Sequence, residues 1–158
     1  MAREGARLRT PPRIKVLEAL GAIADGRIAK TGENTYLVRS SDGSRSYNVY
    51  VDMDKKVVFS NDNGTKYRGY IGYPIIAALM MEKIIGFDKS IADSLKGLPW
   101  KKLNEKYKKY IIVENIVLKK LEESGIPKGK VLSFINRVLR ELSTLEIVYS
   151  EKFVHNKA

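Results

Sequence analysis

The sequence predicts an α+β protein: a four-stranded antiparallel sheet packed with helices, followed by a C-terminal helical hairpin or coiled coil. Three observations carry that expectation. Between residues 35 and 70, short runs rich in Val, Tyr and Thr are separated by Asp42-Gly43 and Asn63-Gly64 turn signals, the pattern of a strand meander. Residues 75–81 are apolar nearly all round, as in a buried helix. Residues 106–145 repeat apolar positions at spacings of three and four on both sides of Gly125-Ile126-Pro127, the pattern of two successive helices. The expected division is a flexible basic arm over 1–13, an α+β nucleic-acid-binding domain over 14–104 and a helical oligomerisation region over 105–158.

In the arm, Arg3, Arg7, Arg9 and Arg13 face a single acid, Glu4, and Pro11 and Pro12 oppose a helix. Residues 14–24 place Val16, Leu17, Leu20 and Ile23 on one helical face, which would cover the sheet, and Asp25-Gly26 closes the helix. Strands are expected over 35–39, 46–51, 56–60 and 65–70. The second alternates Tyr47, Val49 and Val51 against Asn48 and Tyr50. Asp52, Asp54 and Asp62 sit in turn sequences that favour aspartate locally, so they do not suggest a metal site. Pro74 suits the first turn of the next helix. Residues 87–95 suggest another short helix, and residues 106–124 and 130–145 two longer ones. On the last two, Ile111, Leu118, Leu121, Leu132, Ile135, Leu139 and Leu142 form a stripe wider than one partner helix needs. It predicts a homo-oligomer, a dimer first and a tetramer second. Residues 146–158 are an end piece frayed at His155.

Composition narrows the function. The 158 residues carry 29 Lys plus Arg against 18 Asp plus Glu, a formal net charge of +11. Such a balance favours a polyanionic partner. Cysteine is absent and histidine occurs once, which removes thiol chemistry, cysteine-ligated zinc and histidine triads. Glutamine is absent too, and with abundant Lys, Glu, Arg and Ile this points to a hyperthermophile. No apolar segment follows the basic start, and the run over 75–81 is too short to span a bilayer, so a cytoplasmic protein without membrane contact is expected. Nucleotide-binding glycine loops are missing, and no carboxylate pair stands in an apolar setting, which favours a binding protein over an enzyme. No cofactor or metal is expected.

The densest stretch for binding chemistry is Lys66-Tyr67-Arg68-Gly69-Tyr70-Ile71-Gly72-Tyr73-Pro74. Tyrosine faces can stack on bases, lysine and arginine can pair with phosphates, and glycine permits close approach. The candidate nucleic-acid-binding residues are Arg39, Arg45, Tyr47, Tyr50, Lys56, Lys66, Tyr67, Arg68, Tyr70, Tyr73, Trp100, Lys101 and Lys102. The competing reading makes these tyrosines strand-end core residues and Trp100 a core plug.

The order of a basic start, a short helix, a strand meander, this tyrosine stretch entering a buried helix, Leu95-Lys96-Gly97-Leu98-Pro99-Trp100-Lys101-Lys102-Leu103-Asn104-Glu105 and the terminal helices resembles the Thermoproteales-type single-stranded DNA-binding family, ThermoDBP, and its archaeal relatives. The resemblance spans residues 14–142. It implies a compact α+β domain with a cleft apolar at its floor and basic at its rim, and coils that join subunits. A tyrosine-rich meander running into Pro74-Ile75-Ile76-Ala77-Ala78-Leu79 is also similar to a SWIM zinc finger. The cysteine and histidine ligands of that motif have no counterpart at Phe59, Asn61 or Tyr70 to Tyr73, so it implies no zinc site here. The functional expectation is a non-catalytic, largely sequence-independent binder of single-stranded DNA, with RNA as a near variant. The alternative is a structural or protein-interaction module whose basic charge is incidental.

Overall fold

The structure, a computed structural model, describes residues 1–152. His155 lies outside the described residues. The chain forms α1 (Ile14–Ala24), β1 (Ile28–Lys30), β2 (Thr35–Arg39), β3 (Ser46–Asp52), β4 (Val57–Ser60), α2 (Asn63–Lys66), α3 (Tyr73–Met81), α4 (Lys89–Ser94), α5 (Trp100–Tyr107), α6 (Tyr110–Glu123), α7 (Lys128–Leu145) and β5 (Val148–Tyr149). It is an α+β fold. The sheet is five-stranded and mixed, in the order β1-β2-β3-β4-β5, antiparallel up to β4, with β5 parallel to β4.

The expected four-stranded antiparallel sheet is thereby corrected at two places. The run over 65–70, expected as the fourth strand, is a helical turn followed by a loop. Asp62 decides this: Thr65 N donates to its Oδ2 (3.1 Å) and the Thr65 hydroxyl to its Oδ1 (2.8 Å), a side-chain N-cap that offers the backbone a helical alternative to the ladder. At the two edges, β1 and β5 are strands of three and two residues, too short to show an alternating pattern.

Residues expected as a free basic arm instead run beside β5. Gly5 N donates to Tyr149 O (2.7 Å), Tyr149 N to Ala6 O (2.8 Å) and Leu8 N to Ile147 O (3.1 Å). The strap then crosses to the loop after α2, where Arg9 N donates to Gly69 O (3.0 Å) and Ile71 N to Arg9 O (3.0 Å). Three of its four arginines are held as well. Arg7 donates to Ser143 O (3.0 Å), Arg9 to Arg68 O, and Arg13 to both carboxylate oxygens of Glu114 (3.0 and 2.8 Å).

The all-apolar α3 is buried from Pro74 to Met80 and packs on the strands. The helix α1, expected to cover the sheet, packs chiefly on α3 and α4, with α6 and α7 on it as well. Leu118, Leu121, Ile135 and Leu142 are buried in the same core as α1 and the sheet, and Leu132 and Leu139 pack against it. The stripe expected to join subunits therefore has its partner within the chain, because α1 is apolar enough to supply one. Ile111 alone of the seven is well exposed, at 53 %. The helix expected over 106–124 is divided: Lys108 adopts a positive φ of 56° and ends α5, and extended Lys109 starts α6.

Candidate functional site

One open cleft of about 590 Å³ gathers residues from across the chain. Helix α1 contributes Lys15 and Glu18, and the β2–β3 loop Ser41 and Arg45. From β3 comes Tyr47, and from α2 and the loop after it Asn63, Gly64, Arg68 and Tyr70. The start of α3 adds Tyr73, α5 adds Lys101, Asn104 and Glu105, and the α5–α6 turn ends the wall with Lys108, Lys109 and Tyr110.

Local packing places these side chains. Tyr47 and Tyr73 meet edge to face, with ring centroids 6.1 Å apart. Tyr70 lies against Gly64, where a Cβ would come within 2.3 Å of its ring, so only glycine admits the tyrosine there. The hydroxyls of Tyr70 and Tyr110 share a hydrogen bond of 3.3 Å, joining the loop after α2 to the start of α6. Lys15 Nζ stands 4.9 Å from the Tyr110 ring centroid and 2.8 Å from Glu18 Oε2, while Asn104 Nδ2 donates to Glu18 Oε1 (2.8 Å). The β2–β3 loop is tied to α5: Lys101 N donates to Ser41 Oγ (2.8 Å), and Lys101 Nζ reaches Ser44 Oγ (2.6 Å) and Asp42 Oδ2 (3.3 Å).

Charge is sorted by depth. Burial works against the Lys15 ammonium, but the Glu18 carboxylate beside it prevails and holds the lysine pKa above its ordinary value. Burial pushes the phenols of Tyr47, Tyr70 and Tyr73 upward, so all three are neutral hydroxyls at physiological pH. The Ser44 hydroxyl, followed by the Ser44 N–H and the Ser40 hydroxyl, holds Asp42 below the usual carboxylate range. Asp62 is occupied by its cap. Arg45, Arg68, Lys108 and Lys109 are exposed at the rim, and none of them has an ion-pair partner among the described residues. The floor is thus aromatic with an internally neutralised pair, and the rim carries these four cations against one exposed carboxylate, Glu105.

Of the candidates from sequence, Arg45, Tyr47, Arg68, Tyr70, Tyr73 and Lys101 line this cleft. Arg39, Tyr50, Lys56, Lys66, Tyr67, Trp100 and Lys102 do not. Trp100 is 3 % exposed and packs on α1 at Gly21, where a Cβ would fall 2.5 Å from its Nε1; it is a core plug. Tyr50 is 5 % exposed, and its hydroxyl donates to Asp52 (3.3 Å). Tyr67 is exposed, but with Lys66 over its ring outside the cleft. Sequence reasoning missed Lys15, Glu18, Ser41, Asp62, Asn63, Asn104, Glu105, Lys108, Lys109 and Tyr110. The local Lys106-Tyr107-Lys108-Lys109-Tyr110 run was a usable signal for the last three. Nothing local marks Lys15 or Glu18, which read as ordinary polar positions of an amphipathic helix.

Among the described residues, no three His, Cys, Asp or Glu side chains come together as a metal site, and no helix is long and apolar enough to cross a membrane. No curated protein and no solved structure matches the chain. A family model described as "Uncharacterised conserved protein UCP014422" matches residues 8–148, which takes in every residue of the cleft, and the chain belongs to that family.

Proposed function

We propose that the protein is a non-catalytic binder of single-stranded nucleic acid, with DNA as its first target, and that the cleft between α1, the β2–β3 loop and the α5–α6 turn is its binding site. The observation that carries this reading is the convergence of Tyr47, Tyr70, Tyr73 and Tyr110 beneath four unpaired rim cations, Arg45, Arg68, Lys108 and Lys109. Ring faces accept any base, and the cations accept phosphates, so sequence preference is weak. Paired bases inside a duplex offer neither an open face nor an edge small enough for this cleft, which favours unpaired strands. The test is titration with labelled single-stranded DNA, single-stranded RNA and duplex at two salt concentrations. Single strands bind more tightly than duplex and lose affinity as salt rises. Equal affinity for duplex, or binding indifferent to salt, refutes the reading.

A second reading concerns subunit contact. Tyr110, Ile111 and Ile112 are consecutive exposed apolar residues at the start of α6, and they favour a second copy docking there. In this form the homo-oligomer is carried by the mouth of the cleft, with the long stripe of α6 and α7 kept inside each subunit. Light scattering of the intact chain decides it: a monomer at micromolar concentration removes the contact.

A further inference from the structure

The site is an open pit whose walls are tied together at two places. Walls come from α1, the β2–β3 loop, α2, α5 and the start of α6, and the Lys101 contacts with Ser41, Ser44 and Asp42 close one side while the Tyr70–Tyr110 hydroxyl pair bridges another. Proteins that track a strand set successive aromatic platforms along a groove, with site sizes of about 4–16 nucleotides per small β-barrel domain. Among the described residues there is no such row. Beyond the pit, Tyr67 and Phe87 are the well-exposed aromatic side chains among the described residues, and neither lines it. Tyr36 and Tyr50 are buried within the fold. Four cations without an ion-pair partner among the described residues, Arg45, Arg68, Lys108 and Lys109, gather at its mouth, while others such as Lys56, Lys83 and Lys119 are dispersed over the surface outside the cleft. A volume near 590 Å³ lies in the range of pockets that enclose a single small molecule, roughly 300–1,000 Å³.

From this convergence of rings and rim cations on one pit we infer that the cleft takes a single nucleoside monophosphate unit, its base among Tyr47, Tyr73 and Tyr110 and its phosphate at Arg45, Arg68, Lys108 and Lys109. The unit is a free nucleotide or one nucleotide of a strand, splayed from its neighbours. This rests on the proposed function and names the ligand of the same site. A base enters over Tyr110, the most exposed ring of the set at 39 %. Its face away from the Lys15 ammonium is the one left for stacking. The phosphate needs no metal, because the rim cations have no carboxylate to give up.

The experiment is calorimetric titration of the full chain with thymidine 5′-monophosphate, thymidine, inorganic phosphate and oligothymidylates from the dinucleotide to about twenty nucleotides. The mononucleotide binds, thymidine and inorganic phosphate each bind more weakly than it does, and affinity per site changes by less than about tenfold along the length series. One or two phosphates neutralised give a slope of about −0.7 to −1.4 in log affinity against log salt. A tighter mononucleotide assigns the free nucleotide, and a tighter oligonucleotide assigns a nucleotide within a strand; both support the pit. Y110F keeps the ring and binds within about twofold of the parent, whereas Y110A loses roughly 5- to 150-fold. Because Tyr110 is exposed, both variants fold, and melting curves verify this. Tight binding of the long oligonucleotide with no competition from a hundredfold excess of mononucleotide, about, and a slope steeper than about −3 overturn the inference while leaving the strand reading intact. Absence of binding by every ligand overturns both.

Discussion

Two aromatic residues with similar sequence surroundings end in opposite roles. Trp100 and Tyr110 both sit beside lysine pairs, Lys101-Lys102 and Lys108-Lys109. Trp100 starts α5 facing α1 and is buried against Gly21, while Tyr110 starts α6 at the rim of the cleft. Replacing Trp100 by alanine therefore costs stability, about 3–5 kcal/mol by the usual range for a large buried aromatic. Binding by the fraction that remains folded should be unchanged. Thermal melts and oligonucleotide titrations on the same variant check both halves; weakened binding at full stability would place Trp100 in the site after all. The six cleft residues legible in the sequence share a property: they belong to aromatic-basic runs whose types alone suggest stacking and phosphate contact. Lys15 and Glu18 were not legible, because their place in the site depends on α1 lying under α6, a tertiary fact without a local mark. Tyr50 misled because in a strand the alternation says which residues share a face but not which face the helices cover.

At the scale of elements, the Arg13–Glu114 pair ties the start of α1 to α6, two elements that wall the cleft. Glu114 is buried on α6, and the Arg13 guanidinium at the start of α1 holds both of its oxygens. Arg13→Ala leaves a buried carboxylate without that partner. The side chain of Arg13 is itself 46 % exposed, so water relieves part of the loss, and a destabilisation of about 1–3 kcal/mol is expected. Chemical denaturation measures it, and a loss below about 0.5 kcal/mol would mean that water replaces the guanidinium at Glu114. Arg13→Lys should recover only part, since an ammonium cannot make the two-pronged contact. The helices α1 and α7 and the strands β2 to β4 were legible from their patterns, and α3 from being apolar all round. Of the short elements, α4 was legible as the helix expected over 87–95, whereas β1, α2 and β5 were not. For α2 the deciding interaction is one aspartate cap, and for β5 it is pairing to both β4 and the strap, which no residue of Val148–Tyr149 announces.

For the molecule as a whole, the absence of a seam between sheet and terminal helices sets the response to truncation and to pH. Val113, Val117, Leu121, Val131, Ile135 and Val138 belong to the same core as α1 and the sheet. A chain ending at residue 105 would expose α1, with each large aliphatic contact worth roughly 1.5–3 kcal/mol, and should not fold. Circular dichroism of the truncated chain checks this; a cooperative melt would show the first 105 residues to be self-sufficient, as the sequence division at 104 supposes. Alkaline pH acts on the same core through its phenols. Burial, before any other cause, raises Tyr36, Tyr70, Tyr73 and Tyr149 above the ordinary tyrosine value. The folded chain then keeps protons that the unfolded chain releases. Stability is full below the unfolded tyrosine pKa of about 10 and falls as pH rises past it. Tyrosinate absorbance followed with circular dichroism should show these phenols ionising together with unfolding. Ionisation at the ordinary value without loss of structure would contradict their burial.

The strap beside β5 has a consequence for how the chain is made. Residues 5–8 exchange backbone hydrogen bonds with residues 147–149, across nearly the whole sequence. During synthesis from the N-terminus, the strap must wait unpaired until residues 147–149 have left the ribosome, and the outer edge of β4 waits with it. The intervening sheet has no seal on that side until then. Closure of that side is thus timed by residues 147–149, and a nascent chain stalled before them offers two open edges to its neighbours.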